Sequence, residues 1–298
     1  MLKGPPMNRR QLGSLQVAAA ACVWGLWSLF VRGSGLPGLT SGAVVMTALA
    51  LGGIPSQWLG RHRKRPRSAW MWMAIFGVLD AGNSGFFFLA VSRGPVGVAT
   101  LSHYLAPVLT PLMALVLLGE RPSRRTYPAA LVGLAGLGLL LLPASAVGAG
   151  RHALLTAALG ASSAVFYATM VPLGKKLAPH FSPLEVQGYH SYVSAGVLWI
   201  FAPHVAVAWL GLGKLLVGCM LCGVGAGALF YSGIRLVPSG LASVLTYGEP
   251  LVATAVGAVV FHEPVEPVGL LGVAMIIGGG VWLAGEKDPG ALPPDPRC

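Results

Sequence analysis

Residues 95–120 and 238–263 are two copies of one pattern, offset by 143 positions without a gap. Pro95 falls on Pro238, Gly97 on Gly240, Ala99 on Ala242, Tyr104 on Tyr247, Pro107 on Pro250, Val116 on Val259 and Glu120 on Glu263. The same offset lays Val23-Trp24-Gly25 on Phe166-Tyr167-Ala168, and Arg32 on Lys175. A repeat of this kind constrains the architecture before any local reading does, because each copy must fold as the same unit.

Composition says what medium that unit folds in. The chain is 55% hydrophobic and 10% charged, where a soluble domain carries about 25% charge. It reads as an integral membrane protein. A span needs roughly twenty mostly apolar residues, and ten such runs can be drawn, at 14–31, 38–59, 69–90, 95–118, 128–145, 152–173, 184–203, 213–234, 239–261 and 268–285. The first five map onto the second five. This divides the chain into a repeat at 14–145, a repeat at 152–285 and polar tails at 1–13 and 286–298. The first run is not read as a cleaved signal, because its counterpart lies in mid-chain.

Five crossings per copy is an odd number, so the two copies enter the membrane from opposite faces. The fold expected is an all-α integral membrane protein of ten transmembrane helices, arranged as two inverted five-helix repeats. That architecture recurs among secondary transporters. The net charge of +11 fits an orientation signal. With the N-terminus inside, 16 of the 20 Lys and Arg residues fall in inside segments, leaving Arg32, Arg93, Arg151 and Lys214 on the other face. The positive-inside bias then places both termini in the cytoplasm, with the plasma (cytoplasmic) membrane as the expected location. No basic, aromatic-interleaved face suggests nucleic acid as a partner.

The chemistry is sought where spans break. Pro107 and Pro250 sit near the middle of the fourth and ninth spans, and Pro111 follows one turn after Pro107. A proline inside a helix removes one backbone bond, which frees the carbonyls of His103, Thr246 and Pro107. Matched breaks in two halves point to a transporter's central site. In the ninth span Ser239, Ser243, Thr246, Tyr247, Pro250 and Thr254 share one helical face, read as the polar wall of a cavity. Ala99, His103, Pro107 and Thr110 form a lesser version in the fourth, where His103 and Tyr104 are the substrate-binding candidates. Ionisable groups deep in spans are functional candidates, here Asp80, His103 and Glu249. The coupling candidates are Glu249 and Asp80. Trp24, Tyr167 and His190 are further candidates for lining the cavity. Glu120 and Glu263, beside prolines at helix ends, read as capping or loop-pairing residues.

Other chemistries leave no trace. No G-x-x-x-x-G-K-[ST] motif suggests an ATP-driven motor, and no H-E-x-x-H or G-x-S-x-G suggests a hydrolase. An enzyme is not expected, nor a cofactor. Cys22, Cys219 and Cys222 lie in apolar runs and Cys298 ends the chain, which is no disulfide framework. Cys219-Met-Leu-Cys222 lacks a second ligand pair, so no metal site is expected.

Ala21-Cys-Val-Trp-Gly25, the Pro107-to-Glu120 and Pro250-to-Glu263 blocks, and Tyr247-Gly-Glu-Pro-Leu-Val-Ala253 resemble the drug/metabolite transporter superfamily in its ten-span EamA-type form, over residues 14–285. The resemblance implies a central cavity between halves, alternating access, and export of amino acids or other small metabolites, and it leaves the coupling ion open. One departure stands out: Ala106 occupies the first-half position of Glu249, so a role for that carboxylate exists in one half only. The function expected is a secondary transporter, the expected partners being a small-molecule substrate, the lipid bilayer and protons as coupling ion. The alternatives are a proton-coupled exporter of lipophilic cations and a non-transporting membrane scaffold or enzyme.

Overall fold

The computed structural model describes residues 7–31, 34–145, 151–203, 205 and 209–286. Every regular element among them is a helix. The first half runs α1 (Arg9–Trp24), α2 (Trp27–Val31), α3 (Gly38–Gly52), α4 (Ile54–Gly60), α5 (Arg67–Arg93), α6 (Val96–His103), α7 (Ala106–Leu118) and α8 (Thr126–Ser145). The second runs α9 (Arg151–Leu177), α10 (Pro183–Phe201), α11 (Trp209–Gly218), a π-helical turn at Cys219–Gly225, α12 (Ala226–Gly233), α13 (Ser239–Leu245), α14 (Gly248–Val260) and α15 (Pro267–Ala284).

Local sequence sets several of the starts. Asn8 accepts the Gln11 N–H at 2.8 Å while the Gln11 side chain accepts the Asn8 N–H at 3.0 Å, a reciprocal cap that fixes the start of α1. The helix thus begins at Arg9, inside the segment read as a tail; residues 1–6, with Lys3, lie outside the described residues, as do Arg32 and residues 287–298. Ser182 and Glu185 make the same box at α10.

Short helices stack end to end into longer apolar segments. Among the described residues eight are long and apolar enough to cross a membrane, by length and composition: Arg9–Val31, Gly38–Gly60, Arg67–Arg93, Val96–Leu118, Ala153–Leu177, Trp209–Gly233, Ser239–Val260 and Pro267–Ala284. The other two of the ten expected spans fall short for separate reasons. For α8 the residues whose side chains are described give an apolar stretch of Thr126–Leu141, within a helix that continues to Ser145. Buried Gln187, His190, Ser191 and Ser194 make one side of α10 polar, and Glu185 is buried at its start.

Counterpart helices run antiparallel. A methyl added to Gly136 of α8 would meet the Gly272 carbonyl of α15, and one added to Gly279 would meet the Ala129 carbonyl. Residue number rises along one helix as it falls along the other. Such close approach of backbones is how helices associate in lipid, where apolar burial gives little drive. The α3–α4 segment and α10 repeat the arrangement: Gly42 lies by Leu198, Gly53 by Gly188, and the Ser56 and Ser182 hydroxyls are 2.8 Å apart. The two halves are therefore inverted copies. Of the small residues at Gly223/Gly227, the first admits Leu49 of α3 and the second Gln187 of α10.

The fourth and ninth spans both break, at matching places. α6 gives way to α7 at Tyr104–Leu105, and α13 to α14 at Thr246–Tyr247. Pro107 and Pro250 each fall in the first turn of the following helix, where the missing N–H has no intrahelical partner to lose. The chain ends each helix ahead of its proline instead of kinking through it.

One end of the bundle is tied by charge. Arg65, in the loop between α4 and α5, pairs with Glu185 of α10 at 2.5 Å and donates from Nε to the His180 carbonyl at 3.0 Å. Its guanidinium lies 4.7 Å from the Phe181 ring centroid, and the paired side chains are only 4% and 1% exposed. Arg235 donates to the Phe181 carbonyl at 2.5 Å. Lys175 pairs with Glu120, and Glu120 accepts the first N–H of α13, from Ser239, at 2.9 Å.

Candidate functional site

The two breaks meet at the centre of the molecule. Tyr104 and Tyr247, counterparts under the offset, stack with ring centroids 5.8 Å apart and planes 29° apart. Two symmetry-related residues in contact must straddle the axis that relates them, so the pseudo-two-fold axis passes between these rings.

The polar stripe of the ninth span fastens this junction. The Tyr247 hydroxyl lies within donor range of the Tyr104 carbonyl, at 3.1 Å, and the Ala130 carbonyl, at 3.2 Å, and its ring packs over Gly133 of α8. The Ser243 hydroxyl reaches the Pro107 carbonyl at 3.4 Å and the Gly240 carbonyl at 3.0 Å. That Pro107 carbonyl is the one whose helical donor Pro111 removes. Thr246 donates to the Ser243 carbonyl at 2.7 Å, and the Thr246 carbonyl accepts the Glu249 N–H at 3.0 Å. Ser239, Ser243, Thr246 and Tyr247 are all 1% exposed or less.

In this structure Ser243, Thr246 and Tyr247 are turned to carbonyls of the protein and not to open space, and the Pro107 and Thr246 carbonyls have partners within it. With no water in hydrocarbon to satisfy them, backbone groups at a break take partners from the protein. Tyr247→Phe should then lower thermal stability by about 1–3 kcal/mol, since it removes the donor to two carbonyls buried at the junction. A thermal-shift assay in detergent measures this, and an unchanged midpoint would return Tyr247 to the role of a cavity residue.

The accessible side of the junction is aromatic and carries one carboxylate. Glu249 lies two residues beyond Tyr247, at the start of α14, with its carboxyl beside the Tyr104 side chain. Tyr167 of α9 reaches the Thr246 side chain and lies within electrostatic range of Glu249. His103 stands beside them, its ring centroid 4.9 Å from Phe87, 5.4 Å from Tyr104 and 5.2 Å from Tyr167. Its Nδ1 is 2.9 Å from the Ser163 hydroxyl, which lies 2.9 Å from both Asn83 oxygens. Trp24, the counterpart of Tyr167, packs on Phe230 with centroids 4.9 Å apart, and Gly25 lies against the Glu249 carbonyl. Trp24, His103, Tyr167 and Glu249 are each half-buried.

Asp80 and His190 are placed elsewhere. They face each other across α5 and α10, buried, with Oδ2 and Nε2 3.6 Å apart. His190 stacks on Phe76 at 4.5 Å. The sequence candidates thus resolve into three groups: His103, Tyr104 and Tyr167 in ring contact beside Glu249, with Trp24 next to the Gly25 that meets the Glu249 carbonyl; Ser243, Thr246 and Tyr247 in the seam behind them; Asp80 and His190 between two helices. Ser163, Phe230 and Tyr231 were not among the candidates. Ser163 stands one turn before Tyr167 on α9, a spacing that puts both on one face.

A lone carboxylate among aromatic rings suits a cation. The carboxylate supplies charge, and ring faces attract an ammonium group further when water is excluded.

A model of the EamA-like transporter family matches this chain twice, over residues 11–142 and 154–285, the two matches starting 143 residues apart. An uncharacterized transporter of Archaeoglobus fulgidus is 30% identical over 90% of this chain and 94% of its own length. The uncharacterized transporter YwfM of Bacillus subtilis is 27% identical over 89% of this chain and 91% of its own. A solved crystal structure at 24% identity shares the fold, with a TM-score of 0.76 over 90% of this chain and 96% of that one.

Proposed function

The chain belongs to the EamA-like transporter family, and from that premise we propose that it is a secondary transporter exporting small metabolites such as amino acids by alternating access. The observation that carries the reading is the meeting of two counterpart helix breaks beside a half-buried carboxylate. In this reading α8 and α10 complete a set of ten spans. The charge-tied end, which gathers Arg65, Lys175 and Arg235, is cytoplasmic by the positive-inside rule, and both termini are cytoplasmic with it.

Glu249 receives the ammonium group of the substrate, while Trp24, His103, Tyr104 and Tyr167 enclose the rest. Rocking of one half on the other exposes this space to each side in turn.

The same carboxylate among aromatic rings supports a second reading, export of lipophilic cations in exchange for protons. Counterflow in proteoliposomes separates the two, with a radiolabelled amino-acid panel beside tetraphenylphosphonium. Amino-acid counterflow is expected. Signal only with tetraphenylphosphonium moves the assignment to cations, and signal with neither from folded protein sinks the transport reading. Orientation has its own check: in intact cells an impermeant thiol reagent should miss Lys64→Cys and label Arg93→Cys, in a background lacking Cys22. The reverse pattern overturns the topology.

A further inference from the structure

We propose that Asp80 and His190 form a one-proton latch between the two halves, a proton-binding site separate from the Glu249 centre. The proposal rests on the transporter reading for its role in a cycle, but its geometry stands alone. Asp80 lies on α5 of the first half and His190 on α10 of the second. Rocking of the halves therefore acts on the distance between them.

The hydrogen count follows from the partners. His190 Nδ1 is 2.6 Å from the Val186 carbonyl. A carbonyl oxygen only accepts, so Nδ1 carries a hydrogen. The other ring nitrogen, Nε2, faces Asp80 Oδ2 at 3.6 Å. Without a proton between them, a nitrogen lone pair would face a carboxylate oxygen in a site where both side chains are 5% exposed or less. With two protons the pair would carry a net positive charge there. One proton, held on either Oδ2 or Nε2, leaves the pair without net charge in the low-dielectric interior. Asp80 Oδ2 makes no hydrogen bond of ordinary length in this arrangement, and the groups placed to give or take one are this imidazole face and the Ser194 hydroxyl.

The surroundings do not supply a competing charge. Ser194 of α10 lies beside Asp80. From α12, Tyr231 approaches His190 edge-on with centroids 6.1 Å apart, and it is in electrostatic range of Asp80 and of Tyr167 on α9. The segments α3 and α4, also packed on α10, carry no titratable side chain. Phe76 covers the imidazole face.

Neither residue has a titratable counterpart. The offset lays Asp80 on Gly223 and His190 on Thr47, so the latch acts at one of the two half-interfaces only. The packed arrangement holds one proton. An arrangement in which α5 and α10 part lets water reach Asp80 and the proton leave. By linkage the state that binds more protons gains as pH falls. Packing of α5 on α10 should therefore be favoured at low pH and lost as pH rises, the pair titrating as a unit.

The test is the distance between spin labels at Arg93→Cys and Phe201→Cys, at the same ends of α5 and α10, in the full chain in liposomes with the native cysteines replaced. Between about pH 5 and pH 8, the window in which histidine titrates, the labels should move apart as pH rises. Asp80→Asn and His190→Gln, each tested so that a folding failure of one leaves the other, should abolish that step. Glu249→Gln should keep it. A step unchanged in both pair variants, a step lost in Glu249→Gln alone, or no step in the parent overturns the latch. Amino-acid and tetraphenylphosphonium counterflow on the parent separates this from the transporter reading. A step that depends on Asp80 with no counterflow upholds the latch and sinks the transport function, and counterflow with an Asp80-independent step does the opposite.

Discussion

Glu185→Gln is expected to destabilise the protein by about 3–5 kcal/mol, because it strands the Arg65 guanidinium in a buried site. In a chain of this size that is roughly a ten-degree fall in thermal midpoint. Glutamine keeps the reciprocal cap with Ser182, so the loss reports the charge and not the helix start. Arg65→Met alone should fall as far, leaving a buried carboxylate without its cation. The double variant Arg65→Met with Glu185→Gln should recover most of the loss, since removing both charges also removes the cost of burying them. Thermal unfolding of all three in detergent decides the matter. If the two single losses simply add in the double variant, the residues act separately and the tie at this end is misassigned.

Glu249→Gln should reduce binding of ammonium-bearing substrates by about ten- to a hundredfold, the equivalent of the 1.5–3 kcal/mol that a hydrogen bond to a charged group contributes. Tyr104→Phe should cost several-fold, the smaller value of a neutral hydroxyl. The side chain of Glu249 is half-buried and glutamine still meets the Tyr104 hydroxyl, so the thermal midpoint should hold. Counterflow of amino acids against concentration, with thermal unfolding on the same preparations, gives both readouts. A drop in stability that matches the drop in transport would make Glu249 a brace between helices. An unchanged affinity would remove it from the site.

Much of the plan was legible in the residues. The offset of 143 predicted that the fourth and ninth spans break at counterpart positions, and Pro107 and Pro250 marked those breaks to within a turn. The odd number of runs per copy predicted inversion, which the antiparallel contacts of Gly136 with Gly272 and Ala129 with Gly279 bear out. The side of the stripe was not legible. A helical wheel assumes 100° per residue throughout, and the turn at Thr246–Tyr247 interrupts that phase. Ser243 and Thr254 therefore belong to two helices, and Glu249, off the extrapolated stripe, emerges on the accessible side. Nor does periodicity tell a face packed on protein from a face lining a cavity. The Arg65–Glu185 pair spans 120 positions and joins a loop to a helix start. Nothing in the loop 61–67 distinguishes the one buried arginine from its solvated neighbours.

The stacking of Tyr104 on Tyr247 has a bearing on energy as well as on shape. An inverted repeat that trades conformations between its halves produces two states that are mirror roles of one another, and a contact on the symmetry axis is the same in both. These two rings form a fulcrum, and a fulcrum cannot favour either side of a balance. Were the halves identical in sequence, the two states would be degenerate. Any preference must come from residues without a counterpart. Arg65 and Glu185 fall on Ala208 and Gly42 under the offset, Glu249 on Ala106, and Asp80 with His190 on Gly223 and Thr47. Each is a weight on one pan only, and a ligand or a proton shifts the balance by as much as it binds one state over the other.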